Sequence, residues 1–118
     1  MPDMRLSQVA FGDARPVESY GPGFFRVGGE VFRGPLALLP SGARPWGGFE
    51  DTAVLLAEAA ELDVLFVGTG AEMAPLPPAF RAALDAVAVE PMATPAACRT
   101  YNVLLSEGRR VGLALIPV

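Results

Sequence analysis

The sequence predicts an α/β fold: a three-layer single domain over residues 1–118. A central mixed sheet would carry a small β-layer from the N-terminal half and two or three helices. Three observations lead there. Asp63 to Val67 is a nearly continuous apolar run that stops at Gly68-Thr69-Gly70, as expected of a strand covered on both faces. The first third of the chain is β-prone and broken by glycines, and the last half alternates strand-like and helix-like segments, the pattern of parallel strands with right-handed crossovers.

The elements follow in order. Gly23 to Val27 and Glu30 to Arg33 flank Gly28-Gly29, a hairpin signal because two glycines suit the positive φ angles of a primed turn. Phe24 and Phe32 are expected to anchor its buried face. Pro35 to Leu39 is a further short strand, and Pro40 to Gly48, rich in proline and glycine, is a loop. Trp46 in that loop reads as a cap on the core, with ligand contact as the alternative. Glu50 to Glu61 has helical spacing: Glu50 and Asp51 suit the positive helix start, and Val54, Leu55, Ala59 and Leu62 form an apolar stripe. Pro77 or Pro78 starts a second helix, with Phe80, Ala83, Leu84 and Val87 on one face. Val87 to Val89 is a short strand. Thr94 as N-cap and Pro95 behind it open a third helix that runs to about Glu107 and ends at Gly108. Val111 to Ile116 is the last strand.

Composition narrows the function classes. Of 118 residues 52% are hydrophobic, and the net charge is −4, which argues for a folded core and against nucleic-acid binding. All basic residues are arginine, the mark of a GC-rich and bacterial coding bias. The single cysteine, Cys98, allows no internal disulfide and fits a reducing cytoplasm. Met1 to Asp13 carries no apolar core behind positive charge, so no signal peptide is read there. No run reaches the roughly 18 apolar residues of a membrane span, so direct membrane insertion is not expected. Histidine is absent, which removes Ser-His and Cys-His catalysis and histidine metal sites. No metal and no cofactor are expected, and the reading leans away from an enzyme.

A candidate site follows from topology. Ligands of open α/β sheets sit beyond the carboxyl ends of parallel strands. Two such ends are readable, Gly68-Thr69-Gly70 and Glu90-Pro91-Met92-Ala93-Thr94. They would form one ligand or partner edge holding Gly68, Thr69, Gly70, Glu72, Glu90, Met92, Thr94, Cys98, Arg99 and Asn102. A glycine turn beside a helix start suits an anion, while the plainer reading gives Gly68 and Gly70 only a tight turn. Cys98, early in its helix and beside Arg99, has the setting of a reactive thiol, against the usual role of free cysteine as a small core side chain. Glu72 and Glu90 could act as an acid/base pair, against the commoner role of surface carboxylates. Arg99, Asn102 and Ser106 share a helix face, solvated or bound to a partner.

Several longer motifs carry a family resemblance. They are Tyr20-Gly21-Pro22-Gly23-Phe24-Phe25-Arg26-Val27-Gly28-Gly29, Gly34-Pro35-Leu36-Ala37-Leu38-Leu39-Pro40 with Trp46, the Gly68-Thr69-Gly70 turn, and Glu90-Pro91-Met92-Ala93-Thr94-Pro95-Ala96-Ala97-Cys98-Arg99-Thr100-Tyr101-Asn102. From Leu6 to Ile116 the chain resembles a small domain-of-unknown-function family. That family includes the mitochondrial respiratory complex I assembly factor 3 and the adipogenesis-associated domain protein of animals. The resemblance implies an uncharacterised bacterial member with a three-layer α/β fold. It implies protein partners, subunits of respiratory complex I or another membrane complex among them; some prokaryotic members are associated with protein-export genes. It brings no catalytic residues. Three functions stand side by side: a non-enzymatic interaction or assembly module, a small-molecule or anion binder or minor enzyme using the Gly68–Gly70 and Cys98 edge, and a self-associating structural protein.

Overall fold

The last strand in the sequence lies in the middle of the main sheet. The computed structural model describes residues 14–118; the reading of Met1 to Asp13 lies outside them. Strands β1 (Ser19–Gly21), β2 (Phe24–Val27) and β3 (Glu30–Arg33) form an antiparallel sheet. The second sheet has the order β5-β4-β8-β6-β7, from β4 (Leu36–Leu39), β5 (Gly42–Pro45), β6 (Val64–Thr69), β7 (Val89–Met92) and β8 (Val111–Ile116). β4 runs antiparallel to β5 and β8, whereas β6 runs parallel to both β7 and β8. The sheet is therefore mixed. Helices α1 (Ala53–Leu56), α2 (Pro78–Ala83) and α3 (Thr94–Ser106) and a 3-10 turn at Ala59–Glu61 complete the described elements.

Both faces of the main sheet are covered, which explains its apolar strands. Leu36, Leu38, Phe66, Leu113 and Leu115 join Phe25 and Val27 of the small sheet and Ala97, Cys98 and Tyr101 of α3 in one core. Ala37, Leu39, Leu65, Val67 and Ala114 point the other way, toward Trp46, Leu55, Leu76, Phe80 and Leu84. These form three layers: small sheet with α3, main sheet, then α1 and α2. The crossover from β6 to β7 uses α2 and the return from β7 to β8 uses α3. The two move in opposite directions over opposite faces, so they share one hand.

Several boundaries and one face differ from the sequence reading. The hairpin turn at Gly28 and Gly29 has φ of 60° and 79°, as a primed turn requires. Its buried face, however, carries Phe25 opposite Phe32, while Phe24 sits opposite Arg33 on the other side. Phe25 is fully buried and Phe24 only half-buried, so the anchor is one residue later than expected and every side chain of β2 changes face. The loop over residues 40–48 contains β5, an edge strand on which Arg44 and Pro45 are exposed; edges tolerate such residues. The expected helix over 50–61 shrinks to α1 and the 3-10 turn. Asp51 is drawn off into a turn, where its carboxylate accepts from the Gly47 N–H at 2.9 Å and its carbonyl from Trp46 Nε1 at 2.9 Å. β7 begins later than expected and includes Glu90, Pro91 and Met92. α3 ends as expected: Gly108 N–H donates to Leu105 O and Arg109 N–H to Leu104 O, both at 3.0 Å, a Schellman closure.

Candidate functional site

The parallel register brings the two strand ends together. Gly68 stands opposite Met92 on one side and Leu115 on the other. Thr69 is still within β6, and the chain turns at Gly70. Thr94, expected as the N-cap, is instead the first helical residue after Ala93 and caps nothing with its side chain. Its hydroxyl reaches across, donating to Ile116 O at 2.7 Å and accepting from the Gly70 N–H at 2.9 Å. The Thr94 N–H donates in turn to Gly70 O at 2.7 Å. Thr94 is wholly buried, and such a group must be bonded to be tolerated.

Gly68 has a packing reason. A Cβ there would lie 2.7 Å from Thr94 Oγ1, 2.8 Å from Leu115 Cδ2 and 3.0 Å from Thr94 Cα. The missing side chain lets the start of α3 rest against β6. Thr69 fastens the following loop: its Oγ1 lies 2.8 Å from Glu72 O and 3.2 Å from Met92 O, and accepts from the Ala74 N–H at 2.9 Å. The loop so held leaves Met73 61% exposed. The polar backbone atoms that an anion would need at Gly70 and Thr94 are thus bonded within the chain.

Glu72, Glu90 and Arg99 are exposed. Among the described residues their charged ends make no hydrogen bond or ion pair. Cys98 faces the core and is 3% exposed. Burial pushes its thiol up to about 11, outweighing the smaller opposite pull of Arg99. The group is a thiol, not a thiolate, at neutral pH, and the nucleophile is the thiolate. Asn102 lies eight residues beyond Thr94 on α3, about 12 Å along the axis at 1.5 Å per residue. It is away from the strand ends. Its Nδ2 donates to Val17 O at 2.9 Å, and its Oδ1 accepts from the Val17 N–H at 2.8 Å. The neighbouring Tyr101 hydroxyl donates to Arg15 O at 2.9 Å, and burial raises its pKa. Residues 15–17 are therefore clamped to α3, a contact that sequence reading missed. The one local signal was a tyrosine on the apolar side of a helix, whose hydroxyl needs a partner when buried.

Elsewhere, an open hollow of about 360 Å³ lies against α2 and β7, lined by Arg81, Ala82, Leu84, Asp85, Val87 and Val89. Among the described residues no group of three histidine, cysteine, aspartate or glutamate side chains could hold a metal ion. No described helix is long and apolar enough to cross a membrane.

The fold and motifs find relatives. A family model described as protein of unknown function (DUF498/DUF598) matches residues 17–116. An uncharacterised protein of Rhodobacter capsulatus is 52% identical over 117 residues, which cover 98% of this chain and 94% of that one. NADH dehydrogenase [ubiquinone] 1 alpha subcomplex assembly factor 3 of Bos taurus is 36% identical over 110 residues. That match covers 86% of this chain but only 60% of the bovine protein. Among solved structures, an outer membrane protein from Bartonella henselae superposes with a TM-score of 0.80 at 37% identity, over 91% of this chain and 97% of that one. The sequence motifs, the three layers and these likenesses agree, and the chain belongs to the DUF498/DUF598 family, whose relatives include complex I assembly factor 3.

Proposed function

We propose that this domain is a non-enzymatic interaction module that helps assemble a membrane-bound complex, respiratory complex I being the leading case, and that it works from the cytoplasm. The observation that carries this reading is the 36% identity with the bovine assembly factor over 86% of the chain. The chemistry of the chain supports it. Histidine is absent and the single thiol is buried and protonated. The polar atoms of Thr69 and Gly70 are occupied by Thr94 and the 72–74 loop, and Thr94 packs against Gly68, which leaves less support for an anion or small molecule there. An assembly role asks for a stable surface and no reacting group.

The test is a chimera in mammalian cells that lack assembly factor 3. The matched region of the bovine protein is replaced by this chain, so that the rest of the relative is retained. Recovery of assembled complex I on native gels is the expected result. A chimera that accumulates to normal levels without restoring the complex removes the complex I reading.

A further inference from the structure

The strongest unassigned surface is the outer face of the three-stranded sheet. Phe25, Val27 and Phe32 turn inward to the core. The opposite face carries two cross-strand rows, Ser19-Arg26-Val31 and Gly21-Phe24-Arg33. No carboxylate stands in either row, although the chain as a whole has a net charge of −4. Arg26 and Arg33 are both exposed, and Val31 between them is 40% exposed. The Phe24 ring reaches over Gly21 of β1: a methyl there would sit 2.5 Å from its Cε1. Arg26 Nη1 donates to Gly29 O at 3.4 Å; among the described residues neither guanidinium meets a carboxylate.

We propose that this face docks an extended acidic segment of a protein partner, with carboxylates at alternate positions. Arg33 is the diagonal neighbour of Arg26, two residues beyond its partner Val31, and such neighbours are about 7–8 Å apart. Side chains two apart on an extended strand are separated by about 6.6–6.8 Å and share one face. An acid-x-acid segment therefore reaches both guanidinium groups, each of which can take a carboxylate in a two-bond fork. Val31 and Phe24 supply apolar contact beside those pairs. The charge of the chain adds direction, because an acidic segment is repelled by most of the molecule and attracted here. An anionic bilayer fits less well: two arginines hold it weakly and the net charge opposes it.

The proposal rests on reading the domain as an interaction module, yet its test is separate. The isotope-labelled full chain is titrated with a short peptide of alternating glutamate and valine, and amide shifts are followed by NMR. Saturable shifts confined to β1, β2 and β3 are expected. A peptide with glutamine for glutamate should produce none. The R26E/R33E variant should bind about tenfold more weakly or worse, with R26Q/R33Q between it and the parent. Absent shifts, shifts on another face, or an equal response to the glutamine peptide overturn the proposal. So does a response to phosphatidylglycerol vesicles without one to the peptide. The chimera can fail while the titration succeeds, and the reverse, so the two readings fall independently.

Discussion

Asn102 holds Val17 by both of its main-chain polar groups, across a sequence separation of 85 residues. The amide does the work of a neighbouring strand, accepting from the N–H and donating to the carbonyl. Asn102→Ala strands both groups at a part-buried site, and urea unfolding should show a loss of about 1–3 kcal/mol. Asn102→Asp keeps the acceptor but sets a carboxylate against Val17 O. It should be worse than alanine at pH 7. Because the folded state would raise that carboxyl's pKa, stability should return as pH falls and the proton restores a donor. An aspartate variant as stable as the parent at pH 7 contradicts the clamp.

The contact between Gly68 and Thr94 predicts a graded pair of glycine substitutions. Gly68→Ala forces a methyl toward the Thr94 Cα, and overpacking of this kind costs about 1–3 kcal/mol. Gly112→Ala meets only side-chain ends, Leu62 Cδ1 at 2.8 Å, Leu65 Cδ1 at 3.2 Å and Leu39 Cδ2 at 3.3 Å, which can yield. It should cost less. Thr94→Val keeps the shape but deprives Gly70 N–H and Ile116 O of their partner, and should cost about 1–3 kcal/mol, with Thr94→Ser milder. The midpoints of urea unfolding rank the four variants.

Alkaline pH should unfold the protein through its buried acids. The Cys98 thiol rises from 9.0 to about 11 on burial, so the folded chain keeps a proton that the unfolded chain releases. The contribution is full below about pH 9 and lost between 9 and 11, worth about 2–3 kcal/mol. Tyr101, also raised by burial, adds a loss of the same sign above pH 10. Cys98→Ala should flatten the decline between pH 9 and 10. Iodoacetamide at pH 8 should modify Cys98 only as fast as the chain opens. Rapid alkylation of the folded protein would show a thiol far more accessible than its 3% exposure.

Trp46 is the only tryptophan and is 3% exposed, packed edge-on to Phe49 at 5.7 Å and tilted to Phe80 at 6.2 Å between ring centres. Its emission should lie to the blue in the folded chain and move red on unfolding. Trp46→Ala should cost about 3–5 kcal/mol. Trp46→Phe should cost less, losing chiefly the bond from Nε1 to Asp51 O.

The parts legible in the sequence are those specified by neighbours. Val111–Ile116, the Gly28-Gly29 hairpin and the glycine-closed end of α3 emerge where local pattern places them. The misreadings share a cause, which is that distant contacts outweigh local preference. Phe24 and Phe25 are both good strand residues, and only the core decides which one turns inward. Gly42–Pro45 reads as loop, yet pairing with β4 makes it a strand. Asp51 suits a helix start, but Trp46 and Gly47 claim it first. At the candidate edge, topology was legible and occupancy was not. Nothing near Thr94 in the chain says that its hydroxyl will fill the space between Gly70 and Ile116.

β8 has a consequence for how the protein is made. It is the last strand of the main sheet to leave the ribosome, and it separates β4 from β6. Until Val111–Ile116 emerges, β4 lacks the neighbour that joins it to β6, and the apolar edges of both strands stay open. Completion of this sheet must then wait until Val111–Ile116 has been made, and nascent chains are exposed to aggregation in the interval. A chaperone that shields β4 and β6 during synthesis would matter more to this chain than to one whose central strand is made first.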